Sequence, residues 1–250
     1  MLELKSLSVA YGKKTVLDNI NATFEKGKLI SVIGTNGCGK STLLRTALGL
    51  ISPESGSVIL DGCDLSTLRR SEIARKISYL PQGKSVPDMT VEQLVLHGRF
   101  PYLSYPRRYT AADREIARTA MQTVGILDLA SRRIDTLSGG MRQNAYIAMA
   151  LAQNTDYILL DEPTTYLDIA HQLYLMQLLK KLASGGKCII TVTHELPLAF
   201  EFSDGILLLD GGKIAGYAEP ENLLNQEALH QAFKVKIKSL DGKGKYDYEV

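Results

Sequence analysis

Residues 34–42, GTNGCGKST, set glycines at 34, 37 and 39 ahead of a lysine and two hydroxyls. Glycines let a backbone curl until successive N–H groups point at one anion, and a helix beginning near Gly39 adds its positive end. In such a loop, which spans Gly34, Asn36, Gly37, Cys38, Gly39 and Thr42, Lys40 reaches the β- and γ-phosphates of a nucleotide. The Ser41 hydroxyl ligates Mg²⁺. Cys38 reads as a small space-filling residue within the loop.

Residues 158–162, ILLDE, form an apolar strand that ends in two carboxylates. Beside a phosphate loop, Asp161 suits an outer role at the Mg²⁺. Glu162 lies beyond the strand end and suits polarising a water that attacks the γ-phosphate. Residues 189–194, IITVTH, repeat the arrangement with His194 last, where it can hydrogen-bond the γ-phosphate and hold the water. Open parallel sheets bind ligands at these strand ends. His97, His171 and His230 lack that placement.

Residues 137–143, LSGGMRQ, offer a second anion site. Ser138 caps a helix, and Gly139 and Gly140 leave its first N–H groups bare. The segment lies in a helical stretch, away from the chain's own phosphate loop. A second copy docked head-to-tail about a two-fold axis would complete each site in trans; a plain capped helix is the other reading.

The elements that must position these groups follow from hydrophobic periodicity. Residues 2–9 and 15–24 read as strands, and 28–33 as a buried strand ending at Gly34. A helix follows over 40–50. Residues 58–60 and 77–80 are short strands around a polar segment, 69–76. From 88 to 153 the pattern turns helical, with helices over 91–97, 111–124 and 139–152. Strand and helix then alternate: a strand at 157–160, and an amphipathic helix at 168–182 with Ile169, Leu173, Met176 and Leu179 on its apolar face. Next come a strand at 187–193, a helix at 197–202, and strands at 206–209 and 213–217. The alternation predicts a parallel sheet with crossovers. The polar end, 243–248, reads as frayed.

Composition narrows the setting. Length alone suggests between one and two domains for 250 residues. The 29 basic and 27 acidic residues give a net charge of +2, too small to draw the chain toward nucleic acid or anionic lipid. The three cysteines are far apart and odd in number, which points to a reduced, cytosolic setting. The start of the chain lacks the pattern of a signal peptide, and no apolar run is long enough to span a membrane.

In this order and over nearly the whole chain, these motifs resemble an ATP-binding cassette (ABC) ATPase, the motor subunit of ABC transporters. The resemblance implies an α/β fold: a P-loop NTPase (RecA-like) core with an antiparallel β portion, over residues 1–87 and 154–250, and an inserted helical subdomain, 88–153, carrying the LSGG signature. It implies ATP and Mg²⁺ as ligands, with Ser41, Gln82 and Asp161 at the metal. Tyr11 matches the aromatic that stacks on adenine. Gln82, in LPQ, matches the glutamine that touches Mg²⁺ and links the core to the helical lobe. Residues 165–168, TYLD, match the loop across a dimer interface, and Ser138, Gly139 and Gly140 would bind the γ-phosphate of a partner's ATP. The sequence departs from the family at Met141, where glutamine is usual, and at Asn144, where a basic residue is common.

Residues 97–102 (HGRFPY), 161–172 (DEPTTYLDIAHQ) and 229–235 (LHQAFKV) are similar to importers of ferric siderophores, haem and cobalamin. The implied partners are a second copy of the chain, transmembrane permease subunits and, through them, an extracytoplasmic substrate-binding protein. The implied place is the cytoplasmic face of the cell membrane, held there peripherally. The alternative is a soluble, non-transport ABC ATPase acting on nucleic acid or the ribosome. Such proteins usually carry two cassettes or long coiled-coil arms, whereas this chain shows one cassette and no sustained heptads.

Overall fold

The computed structural model describes residues 1–83, 86–224, 227–234, 236–239 and 246–249. The chain opens with an antiparallel pair, β1 (Leu2–Tyr11) and β2 (Lys14–Phe24). β4 (Ser55–Leu60) joins the other edge of β1, and β5 (Cys63–Asp64) completes a sheet in the order β2-β1-β4-β5. Leu2, Leu4, Leu7 and Val9 of β1 are buried. The alternation skips a step where Ser6 takes φ 47 and the register with β2 shifts, as a bulge in a half-buried strand requires.

The second sheet holds the chemistry-bearing strand ends. It comprises β3 (Leu29–Ile33), β6 (Ile77–Leu80), β7 (Tyr157–Asp161), β8 (Cys188–Val192), β9 (Gly205–Asp210) and β10 (Lys213–Ala218), in the order β10-β9-β3-β8-β7-β6. All neighbours run parallel except β10, which turns back on β9. Every residue of β3, β7 and β8 is buried, because both faces of a parallel sheet are covered. Successive side chains therefore feed two different cores. Tyr157 and Leu159 pack toward α1 (Lys40–Ala47) and the first sheet, while Ile158 and Leu160 pack toward helices on the opposite face.

Those helices are α3 (Val91–His97), α4 (Ala111–Thr123) and α5 (Gly139–Ala152), between β6 and β7, with α6 (Ile169–Ser184) between β7 and β8. Val91, Ala117, Met121 and Ile147 share one apolar cluster with Leu175, Met176, Leu179 and Ala183 of α6 and with Ile189 of the sheet. Within the inserted segment a buried ion pair closes the helix ends. Arg99 Nε donates to Asp113 at 3.0 Å, and its Nη1 donates to the Ala152 carbonyl at 3.0 Å. Burial disfavours the Asp113 carboxylate, but hydrogen bonds from Thr110 and Arg99 outweigh it and hold the group below its usual range.

Three expectations change. The polar segment before β6 is a helix, α2 (Arg70–Lys76), with Ile73 as its one buried residue. The first residue of α6 does not face the core: Ile169 is 77% exposed, and the buried positions are Leu175, Met176, Leu179 and Ala183. Asp168 caps this helix, and Ala170 and His171 beside Ile169 in its first turn are exposed as well. At the end of the chain, Tyr246–Glu249 pairs antiparallel with Lys236–Ser239 where fraying was expected, and residues 241–245 lie outside the described residues. Among the described residues no helix is long and apolar enough to cross a membrane.

Candidate nucleotide-binding site

The ends of β3, β7 and β8 open onto a cleft of about 730 Å³. Its floor is the glycine loop between β3 and α1. Gly39 at φ 109 caps α1 without any side-chain hydrogen bond, which leaves the first N–H groups of the helix to an anion. Lys40 is buried, and its ammonium donates to the carbonyls of Gly34 at 2.8 Å and Thr35 at 2.9 Å. These bonds hold the lysine across the inside of its own loop. Asn36, Gly37, Gly39, Lys40, Ser41 and Thr42 all line the cleft. Gly34 and Cys38 are buried beneath it, and burial pushes the Cys38 thiol up against the pull of the nearby Lys40 charge.

Opposite the loop stands Glu162. Its N–H extends the β7–β8 ladder to the Val192 carbonyl at 3.0 Å, and its backbone then takes φ 52, a left-handed value that strains a side-chain-bearing residue. This kink brings the carboxylate to the cleft between two neighbours. Gln82 Nε2 donates to Oε2 at 2.7 Å, and His194 Nε2 lies 2.7 Å from Oε1. Thus Gln82, Glu162 and His194, drawn from three separate segments, meet in one hydrogen-bonded row facing Lys40 and Ser41. A carboxylate held this way can accept a proton from a water lying between it and a phosphate.

Asp161 lies one residue back and is 1% exposed. Burial raises its carboxyl above the ordinary range, and a hydrogen bond from Ser41 opposes that rise. Tyr79 donates to Oδ2 at 3.4 Å, whereas Oδ1 is buried without a hydrogen-bond partner among the described residues. An unpaired buried carboxylate oxygen is costly, and a cation or its bound water would satisfy it. With the Ser41 hydroxyl and the Gln82 amide, the donor set is all oxygen, which suits Mg²⁺.

Two groups of expected residues lie elsewhere. Tyr11 sits at the end of β1, 52% exposed, and is not among the residues that line the cleft; Val16 of β2 is. Ser138, Gly139 and Gly140 do not line it either. Ser138 and Gly139 are exposed and Gly140 half-buried at the start of α5, where the Ser138 hydroxyl accepts from the Met141 N–H at 3.3 Å. Sequence reasoning missed Val16, Tyr79 and Arg45, and assigned Thr165 only to a loop across the dimer interface. Arg45 lies one turn after Ser41 on α1 and hydrogen-bonds the Tyr79 hydroxyl, while Thr165 donates to Glu162 at 3.4 Å. Spacing gave no sign of Tyr79, which only pairing of β6 with β7 brings near Asp161.

A phosphate-cradling loop, a polarised carboxylate at a neighbouring strand end and an inserted helical segment define a nucleotide-hydrolysing cassette. The sequence profile of the ABC transporter family matches residues 17–165, and the chain belongs to that family. It is 39% identical over 237 residues to the petrobactin import ATP-binding protein FpuD of Bacillus anthracis, covering 94% of this chain and 87% of that one. To the ferric enterobactin transport ATP-binding protein FepC of Escherichia coli K12 it is 41% identical, with 95% and 88% covered. Among solved structures, the dimeric ATP-binding cassette MJ0796, in a post-hydrolysis state bound to ADP and phosphate, superposes with a TM-score of 0.78 at 30% identity. That match covers 88% of this chain and 99% of the other.

Proposed function

We propose that this chain is the ATP-hydrolysing subunit of an importer for iron–siderophore, haem or cobalamin complexes. The observation that carries the reading is the row Gln82–Glu162–His194 facing Lys40 and Ser41, with a second bare helix start, at Ser138, outside that cleft. ATP lies with its phosphates on the glycine loop and its adenine against Tyr11. Lys40 leaves its loop carbonyls for the phosphate oxygens. Ser41, Gln82 and Asp161 would hold Mg²⁺, which would neutralise charge on the β- and γ-phosphates. Glu162 takes the proton of the attacking water as its oxygen bonds to the γ-phosphorus. The bond to the bridging oxygen breaks, and ADP leaves. His194 holds Glu162 and the water in line.

Ser138, Gly139 and Gly140 meet the γ-phosphate of a second copy, so two ATPs are sandwiched in a head-to-tail dimer. Closure on ATP and reopening after hydrolysis drive permease subunits, which hold the chain at the cytoplasmic face of the membrane and receive cargo from a binding protein outside. The dimeric state of the similar cassette and the import names of the relatives support this reading over action on nucleic acid or the ribosome. The test is Ser138→Ala in the purified chain. Hydrolysis should be lost while a single chain still binds ATP; loss of binding instead would place Ser138 at its own chain's site and sink the dimer.

A further inference from the structure

The start of α5 and the turn that carries Glu162 are joined inside the chain. Gln143 lies one turn into α5, is 6% exposed, and donates from Nε2 to the Pro163 carbonyl at 2.6 Å. The junction around this bond is packed. A Cβ on Gly140 would stand 3.5 Å from the Leu167 side chain and 3.6 Å from the Tyr166 carbonyl, and Gln172 donates to the Leu167 carbonyl at 3.2 Å. Pro163 has a fixed φ and narrows the backbone choices of the residue before it. That residue is Glu162, already held at φ 52. Holding the Pro163 carbonyl, one peptide beyond the Glu162–Pro163 bond, anchors the turn from which the Glu162 carboxylate reaches between Gln82 and His194.

We propose that Gln143 is a positioning residue that couples the two nucleotide sites of the dimer. The inference rests on the dimer reading above and goes beyond it. The start of α5 serves the partner's ATP, whereas Glu162 serves the chain's own, and the Gln143–Pro163 bond ties one to the other. A phosphate that draws α5 forward in one site resets the carboxylate in the other. The bond is short and buried, so it transmits displacement that a solvated contact would absorb.

The test uses the full chain, with phosphate release measured against ATP concentration and dimer formation measured by size exclusion. Gln143→Met keeps the volume and removes the donor; Gln143→Lys keeps a donor. In a Glu162→Gln background, Gln143→Met should still dimerise with ATP. With Glu162 intact, it should lower the Hill coefficient from about two toward one, as two coupled sites allow, and kcat about tenfold, a partial loss of the general base's contribution, with half-saturation little changed. Gln143→Lys should restore cooperativity. Should Gln143→Met fail to fold in a thermal melt, Gln143→Leu carries the same expectation. Wild-type cooperativity and kcat in a folded donor-less variant would overturn the coupling and leave the dimer standing. A Glu162→Gln chain that stays monomeric with ATP would overturn the dimer reading and the coupling with it.

Discussion

Two helix starts in this chain set glycines beside hydroxyls, and the glycines answer to different demands. At α1, Gly34 takes φ 151 and Gly39 φ 109. A Cβ on Gly34 would stand 2.1 Å from the Leu209 carbonyl oxygen, and one on Gly39 2.8 Å from Leu17 Cδ2. Here the fold itself requires glycine. At α5, Gly139 and Gly140 are ordinary helical residues, and added Cβ atoms would first meet neighbours at 3.4 and 3.5 Å, a normal contact. Nothing among the described residues requires them. One glycine set shapes the floor of an open cleft; the other keeps a surface clear for something arriving from outside.

The contrast can be broken at four points. Glu162→Gln should lower phosphate release by about 10²–10⁴-fold while ATP affinity survives, as for loss of a general base; turnover near wild type would remove Glu162 from the chemistry of the cleft. Gly34→Ala should destabilise the fold by about 3 kcal/mol through overpacking, read as a drop in the midpoint of denaturant unfolding. Lys40→Ala should weaken ATP binding by about 1.5–3 kcal/mol, roughly ten- to a hundredfold by calorimetry, because its ammonium bonds a charged group. Gly139→Ala sharpens the comparison most with the smallest change. At the first helical position it should change stability by no more than about 0.5 kcal/mol, yet reduce turnover. An unchanged turnover would mean that the start of α5 meets nothing.

The cleft was legible in the sequence wherever chemistry sits at a strand end. The loop over 34–42, Glu162 and His194 were placed by spacing, because a buried parallel strand is a short apolar run and its last residue has only one edge to emerge on. What escaped was set by pairing across the sheet or by a single contact. α2 buries only Ile73, and one inward residue makes no period. Ile169 looks like the first rung of an apolar face, but its turn extends past the end of the core. Tyr79, Val16 and Gln143 earn their places through partners 82, 23 and 20 positions away in the chain, which no local pattern records.

The apolar cluster beneath α3, α4 and α5 has a practical consequence for anyone building chimaeras. Its wall on one side is Leu175, Met176, Leu179 and Ala183, which lie in α6 beyond the inserted segment. Cutting at residues 88 and 153 and grafting the segment from a relative would seat foreign side chains on these four. A transplant that carries α6 along keeps its own lining; one that does not has to be recut to fit.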